Sequence, residues 1–219
     1  MEFDLAAMSS ADCYKIVSAS ITPRPIAWIS TMSKKGDCNL APYSFFNMVS
    51  ADPPLLVFGL MRKSDGTHKD TAANILSTGE FVVNMVCEDD AEAMNFSCID
   101  APPGFDEIAA TGLKTAPATR VRPPRIASAP VSMECRLFQA TETPGTTVVL
   151  GQIVTLHIGD EFIDAERLHV DAPAMQLIAR MHGAGWYTRS TDRFQLARPT
   201  YEEWHAEQKV SRESDSFAT

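Results

Sequence analysis

Hydrophobic and polar positions along the 219-residue chain fall mostly into strand-length runs, separated by turns marked with proline and glycine. Residues 26–31 read as a strand, Gly36 sits in a polar turn, and residues 39–43 form the second arm of an opening hairpin. Pro23 and Pro25 hold the entry extended, because each proline disfavours helix at the residue before it. Pro42 has no N–H to give a ladder, which places the second arm at a sheet edge or strand end. Asp52-Pro53-Pro54 turns the chain into the apolar run 55–61, which reads as a strand buried on both faces. Residues 72–76 start a helix capped by Asp70 or Thr71; Gly79 ends it, and residues 80–86 make the next strand.

The second half is less regular. Residues 88–96 are acidic at the front and rich in alanine and methionine after, a helix that the macrodipole favours. A short helix is expected at 105–111, and residues 114–130 form a proline-studded crossing. Residues 132–140 and 147–158 pair as a hairpin through Thr143-Pro144-Gly145, and 161–163 add a short strand. Residues 174–181 read as helical, ending at His182-Gly183-Ala184-Gly185, and 199–208 as a charged helix carrying Tyr201 and Trp204. Residues 11–18 fit either a helix or a first strand. Many short strands without strand–helix alternation predict a mainly β fold, an antiparallel barrel with peripheral helices; an α+β sandwich is the competitor. One domain over residues 1–200 is expected, followed by a helix and frayed tail at 201–219.

Composition narrows the function classes. A net charge of −9 argues against nucleic-acid or membrane-surface binding, while leaving room for one local basic pocket. No apolar run reaches membrane-spanning length, and the acidic start has no secretory pattern. The five cysteines are widely spaced with no C-x-x-C pair, as expected of free thiols in a reducing cytoplasm. The five histidines are scattered, with no metal-ligand spacing.

Two stretches carry candidate chemistry. Arg62, Thr67, His68, Lys69, Asp70 and Thr71 precede a helix start, where free N–H groups and the dipole favour an anion. Lys69 and Arg62 add cations and Thr67 and Thr71 add hydroxyls, enough to hold a phosphate monoester. The competing reading is a capped helix with solvated charges. Ser44, Phe45, Phe46 and Asn47 set a hydroxyl and an amide beside two rings, which suits a flat phosphorylated ligand or, equally, a turn with two core phenylalanines. Trp28 reads as core or as a wall at a barrel rim, and Arg24, held between prolines, as a site residue or a surface ion pair. Gly183-Ala184-Gly185 fails the dinucleotide fingerprint: its third glycine position falls on Thr188, and a helix precedes it instead of a strand.

In order and spacing, Arg24-Pro25-Ile26-Ala27-Trp28-Ile29-Ser30-Thr31, Gly36, Asn39-Leu40-Ala41-Pro42-Tyr43-Ser44-Phe45-Phe46, Asp52-Pro53-Pro54, Lys69-Asp70-Thr71-Ala72-Ala73-Asn74-Ile75 and Glu80-Phe81-Val82-Val83-Asn84 resemble the flavin reductase-like family of FMN-binding split barrels, which includes flavoredoxins. The resemblance implies a Greek-key-like split β-barrel that forms a homodimer with one FMN per subunit. By family pattern Ser44, Lys69 and Thr71 hold the phosphate, assisted by Arg62 and Thr67. Arg24, Pro25, Ile26, Trp28, Asn39 and Ala41 line the ring and ribityl side, Phe45 stands beside them, and His182 and Trp186 are further contacts. It implies an enzyme, an NAD(P)H:flavin oxidoreductase with NADH or NADPH as donor, serving an oxygenase or another redox partner. The alternative is a flavoredoxin-like electron carrier that does not itself oxidise the nucleotide. No catalytic side chain is expected, because the cofactor carries the hydride chemistry.

Overall fold

The computed structural model describes residues 1–183 and 185–205. In chain order these include α1 (Ser10–Ser20), β1 (Arg24–Pro25), β2 (Ala27–Met32), β3 (Cys38–Tyr43), β4 (Phe46–Ala51), β5 (Pro54–Met61), α2 (Asp70–Thr78) and β6 (Glu80–Met85). There follow α3 (Ala91–Phe96), α4 (Glu107–Thr111), β7 (Thr115–Ala116), β8 (Arg125–Ile126), β9 (Val131–Glu142) and β10 (Thr146–Ile158). The chain finishes with β11 (Ile163–Asp164), β12 (His169–Val170), β13 (Ile178–Arg180) and β14 (Tyr187–Arg189).

Seven strands form one antiparallel sheet in the order β3-β2-β6-β9-β10-β5-β4. Its two outermost strands are consecutive in the chain, since β3 ends at Tyr43 and β4 begins at Phe46. Laid flat, six interstrand spacings would separate those edges by about 29 Å, whereas three Cα steps reach only about 11 Å. The sheet must therefore curl until its edges meet at Ser44–Phe45, which makes it a mainly β split barrel. Phe45 completes the corner: its carbonyl accepts from Gly59 N at 2.9 Å. A Cβ on Gly59 would come within 3.4 Å of Phe45 Cβ and 3.3 Å of Thr146 Cγ2, so glycine lets the corner lie close on β5.

The interior follows the strand alternation. Ala27, Ile29, Leu56, Phe58, Leu60, Phe81, Val83, Cys135 and Val149 form one buried cluster with Ala72 and Ile75 of α2, and Phe58 meets Phe81 edge-on at 5.3 Å. Trp28 and Ile26 face the other way, into a second cluster with Leu40, Val86, Met94, Ile108 and Ile126. β2 is thus covered on both faces, by one cluster on each.

Three sequence expectations change. Residues 44–47 are not only a turn, because β4 starts at Phe46 as an edge strand. Residues 174–181 are not helical: they turn and enter β13, which pairs with β1 and β14 in a small second sheet. The pull is tertiary, since Ile178 N bonds Val86 O (3.1 Å) and Glu88 N bonds Gln176 O (3.0 Å). At 161–163 a single 3-10 turn precedes β11. Residues 11–18 resolve as α1, capped by Ser9. Residues 201–205 are helical, and the rest of the expected tail lies outside the described residues. Among the described residues no helix is long and apolar enough to cross a membrane.

Two carboxylates pin the proline-rich crossing, Glu80 through Arg122 (3.0 Å) and buried Glu134. Glu134, buried in β9, accepts from Thr119 N (2.8 Å), Arg120 N (2.6 Å), Thr119 Oγ1 (3.1 Å) and His157 Nε2 (2.6 Å). Burial raises its pKa, but the hydrogen bonds from His157, Thr119 and Arg120 outweigh that and bring it down to about 2. A depressed carboxylate contributes stability above its unfolded value of 4.5 and loses it as pH falls toward about 2. Glu134→Gln should therefore destabilise the fold by about 3 kcal/mol near neutrality. Urea midpoints measured from neutral to acid pH should converge for the two proteins; an equal gap at every pH would contradict this role.

Candidate functional site

The corner that joins the sheet edges also floors a continuous groove. Three cavities of about 130, 360 and 180 Å³ share Pro42 and Tyr43, and together they run from the start of α2 to the small β1-β13-β14 sheet. At the α2 end, Asn39, Ala41, Lys63, Lys69, Thr71 and Glu107 line the wall. Lys69 is the N-cap of α2 and makes no side-chain cap bond, so the first-turn N–H groups stay open to an anion. Thr71 is buried; its Oγ1 accepts from Asn39 Nδ2 at 2.9 Å, and it shares a further hydrogen bond with the Tyr43 phenol. Asn39 Nδ2 also reaches Thr31 Oγ1 (3.4 Å), which Asn74 Nδ2 contacts at 3.0 Å, tying β3, β2 and α2 together.

Charges in this end are mixed. Lys69 Nζ contacts Asp100 Oδ1 at 2.8 Å, and that bond lowers the pKa of the exposed carboxylate. Asp100 and Asp70, which accepts from Gly104 N (3.0 Å), hold the 98–104 loop over the pocket. Glu107, buried, accepts from Leu40 N at 3.0 Å, and burial raises its pKa. Burial likewise pushes the Tyr43 phenol up to about 12, against a hydrogen bond with Thr71. The pocket thus holds neutral donors and cations toward the centre, with its one exposed carboxylate on a loop.

At the middle of the groove lie Tyr14, Ser44, Phe45 and Gly59, with Lys69 again on the wall. Tyr14 and Phe45 rings are 6.0 Å apart, tilted by 52°. Ser44 Oγ accepts from Arg24 Nε at 3.3 Å, so the guanidinium orients the hydroxyl. Arg24 itself is buried, and its other donors go to Ser18 O, to Ile21 O (2.9 Å) and to Met181 O (3.4 Å). The far end is lined by Ile26, Met94, Asn95, Cys98, Arg180 and Tyr187. A fourth, largely apolar cavity of about 770 Å³ opens beside it under α1, lined in part by Arg24, Pro25, Ser44 and Phe45.

Most sequence-named residues therefore converge: Asn39, Ala41, Ser44, Phe45, Lys69 and Thr71 line the groove, Ile26 its far end, and Arg24 and Pro25 the cavity beside it. Three do not. Trp28 has no exposed surface, and its indole N–H donates to Ser97 Oγ at 2.9 Å, so it is core instead of a ligand wall. Arg62 is committed to Glu142 and to Gly66 O (3.0 Å). Thr67 caps its own turn on Asp65 Oδ1 at 2.6 Å. The cation beside Lys69 is instead Lys63, one residue on from Arg62, because successive residues of extended chain point to opposite sides. The His182 and Trp186 rings lie 5.6 Å apart, tilted by 31°, with Trp186 exposed next to the groove's Gly185.

A family model, the flavin reductase like domain, matches residues 19–201. The chain belongs to the flavin reductase-like family. A protein of Deinococcus radiodurans is 42% identical over 97% of this chain and 96% of its own length. Among solved structures, 2-nitrobenzoate 2-nitroreductase NbaA of Pseudomonas fluorescens superposes with a TM-score of 0.84 at 36% identity, covering 92% of this chain and 98% of that one. Nitrilotriacetate monooxygenase component B from Bacillus cereus gives 0.84 at 31% identity, over 90% and 98%. The flavin reductase-like fold thus spans the barrel and the small sheet alike.

Asp100 occupies the cation that an anionic ligand needs. Asp100→Asn should strengthen binding of inorganic phosphate at this end by roughly 2- to 5-fold, the scale of an exposed ion pair. Calorimetric titration checks it, and unchanged affinity would show that Lys69 is not the anion's partner.

Proposed function

We propose that this chain binds FMN in the groove and acts as an NAD(P)H-dependent flavin reductase, taking hydride from NADH or NADPH and passing electrons onward. The observation that carries the reading is the meeting of Lys69, Thr71 and Ser44, three phosphate-type donors, on one groove floored by Pro42 and Tyr43. Lys69, Thr71 and the open N–H groups of α2 would hold the phosphate, with Lys63 adding charge and Ser44 a donor oriented by Arg24. Tyr14, Tyr43 and Phe45 would flank the ring, and Asn39 would support Thr71. When bound, FMN supplies the two-electron chemistry; the protein's part is orientation, exclusion of water and control of what stacks on the ring.

Relatives support this reading and suggest what receives the electrons. The Bacillus cereus likeness, a component B of a monooxygenase, favours an oxygenase partner. The 36% identity to a 2-nitrobenzoate 2-nitroreductase favours a second reading, in which a nitroaromatic is reduced in the site itself. The flavoredoxin likeness, at 17% identity, speaks for the fold only, so the pure electron-carrier reading gains nothing from it. A homodimer is part of the proposal: edge strand β4 exposes Met48 and Val49, and the β9–β10 hairpin exposes Phe138 and Leu156. All five cysteines are free thiols, which suits a reducing compartment such as the cytoplasm.

The deciding experiment is a visible spectrum of the purified protein with FMN, taken without oxygen before and after NADH or NADPH. Flavin bands that bleach with either nucleotide are expected; bands that persist with both would leave an electron carrier. Lys69→Ala should weaken FMN binding by about 1–3 kcal/mol, measured by quenching of flavin fluorescence. An unchanged dissociation constant would place the phosphate elsewhere.

A further inference from the structure

The small sheet holds an arrangement that stability alone does not explain. Arg24 on β1 and Arg180 on β13 are directly opposed in the antiparallel register. Like charges in directly opposed positions repel, and the effect is felt here: burial lowers the Arg24 pKa, and Arg180 lowers it further. Among the described residues neither guanidinium has a carboxylate partner, in a chain whose net charge is −9. Their neighbours show that acids were available: Arg189, across from Ile178 on β14, pairs with Glu88 at 2.7 Å.

The two arginines also differ in what they do. Arg24 spends its donors on Ser44 and on three backbone carbonyls. Arg180 makes one long bond to Gly183 O (3.4 Å) and lies over the Tyr187 ring, its guanidinium carbon 4.9 Å from the centroid. Tyr187 is held in turn by its hydroxyl on Asn95 Oδ1 at 3.1 Å. A planar guanidinium over an aromatic ring, with most of its donors free among the described residues and lining the groove end away from Lys69, is built to take an anion in two-pronged fashion. FMN carries one phosphate, and Lys69 with α2 accounts for it. The second cationic end calls for a second anionic ligand.

We infer that Arg180, stacked on Tyr187, recognises the phosphates of the nicotinamide nucleotide that delivers hydride in this groove. The inference rests on the FMN reading above and assigns the residue that selects the donor. Arg24 stands behind it, orienting Ser44 and adding positive potential. The opposed pair is then a stability cost kept for binding, which gives Arg180 a signature that a structural arginine lacks.

The test uses FMN-loaded wild type, Arg180→Ala and Arg180→Lys. Calorimetry with NAD⁺ and NADP⁺ reads nucleotide affinity without turnover, flavin fluorescence reads FMN affinity, and thermal unfolding reads stability. Arg180→Ala should bind at least one nucleotide about 10- to 100-fold more weakly, the scale of charge-assisted hydrogen bonds. Arg180→Lys should recover part of that loss, FMN affinity should stay within about two-fold, and the melting temperature should hold or rise. Unchanged nucleotide affinity overturns the inference, as does a lowered melting temperature, which would make Arg180 structural. A loss confined to FMN would make Arg180 a flavin ligand, and a loss confined to 2-nitrobenzoate would make it an acceptor site; either overturns it. Wild type that takes up no FMN is a different failure, since it removes the reading of the groove itself and this assignment with it.

Discussion

Everything in this molecule depends on the two residues, Ser44 and Phe45, that join the outermost strands of the seven-stranded sheet. So short a link cannot span a flat sheet, so the sheet has to curl, and curling encloses the Phe58–Phe81 core. The same link is the middle of the groove. Its serine is aimed by Arg24, and its phenylalanine lies on β5 where Gly59 gives it room. The bend of the sheet and the floor of the groove are one piece of chain, and residues there answer to both demands.

Around that corner the parts are held by polar bonds between elements that apolar packing alone would leave free to slide. Asn39, Thr71, Thr31 and Asn74 fix the start of α2 against β2 and β3, so its open N–H groups face the groove. Arg24 bonds the last turn of α1 and the end of β13 to Ser44, uniting the helix, the small sheet and the corner. Such networks stabilise little in net terms, because water would satisfy the same groups. What they contribute is position, which a binding site needs more than it needs stability.

How much of this was legible depended on whether the signal was local. The hairpin of β2 and β3, the buried strand β5, and helix α2 with its Gly79 stop follow from period and turn chemistry, and the structure has them close to where the pattern puts them. Lys69 and Thr71 were legible as the start of α2 for the same reason, and the structure brings both to the groove wall. β13 was not: residues 174–181 carry too weak a pattern, and pairing with β1 decides their conformation. Arg62 misled because loop composition says which charges are near but not which side each faces; Lys63 takes the inward place. Arg180 and Tyr187 lie over 110 positions from Lys69, and only the second sheet brings them to the same groove.

The electrostatic plan is the last step. An acidic chain repels anions at long range, so an anionic ligand gains from local fields that act within roughly a Debye length of about 8–10 Å. Here the cations are divided, Lys63 and Lys69 lining the groove toward α2 and Arg180 lining it at the small sheet with buried Arg24 behind, and the floor between them is proline, tyrosine and serine. A single phosphate ester satisfies one end only. Crowding all four cations together would bind one anion more tightly but would leave nothing to orient a second. On the reading proposed above, separating them, at the cost of opposing two arginines across a strand pair, would let two anionic partners lie with their uncharged rings over the neutral floor, the face-to-face approach of two flat rings that hydride transfer needs.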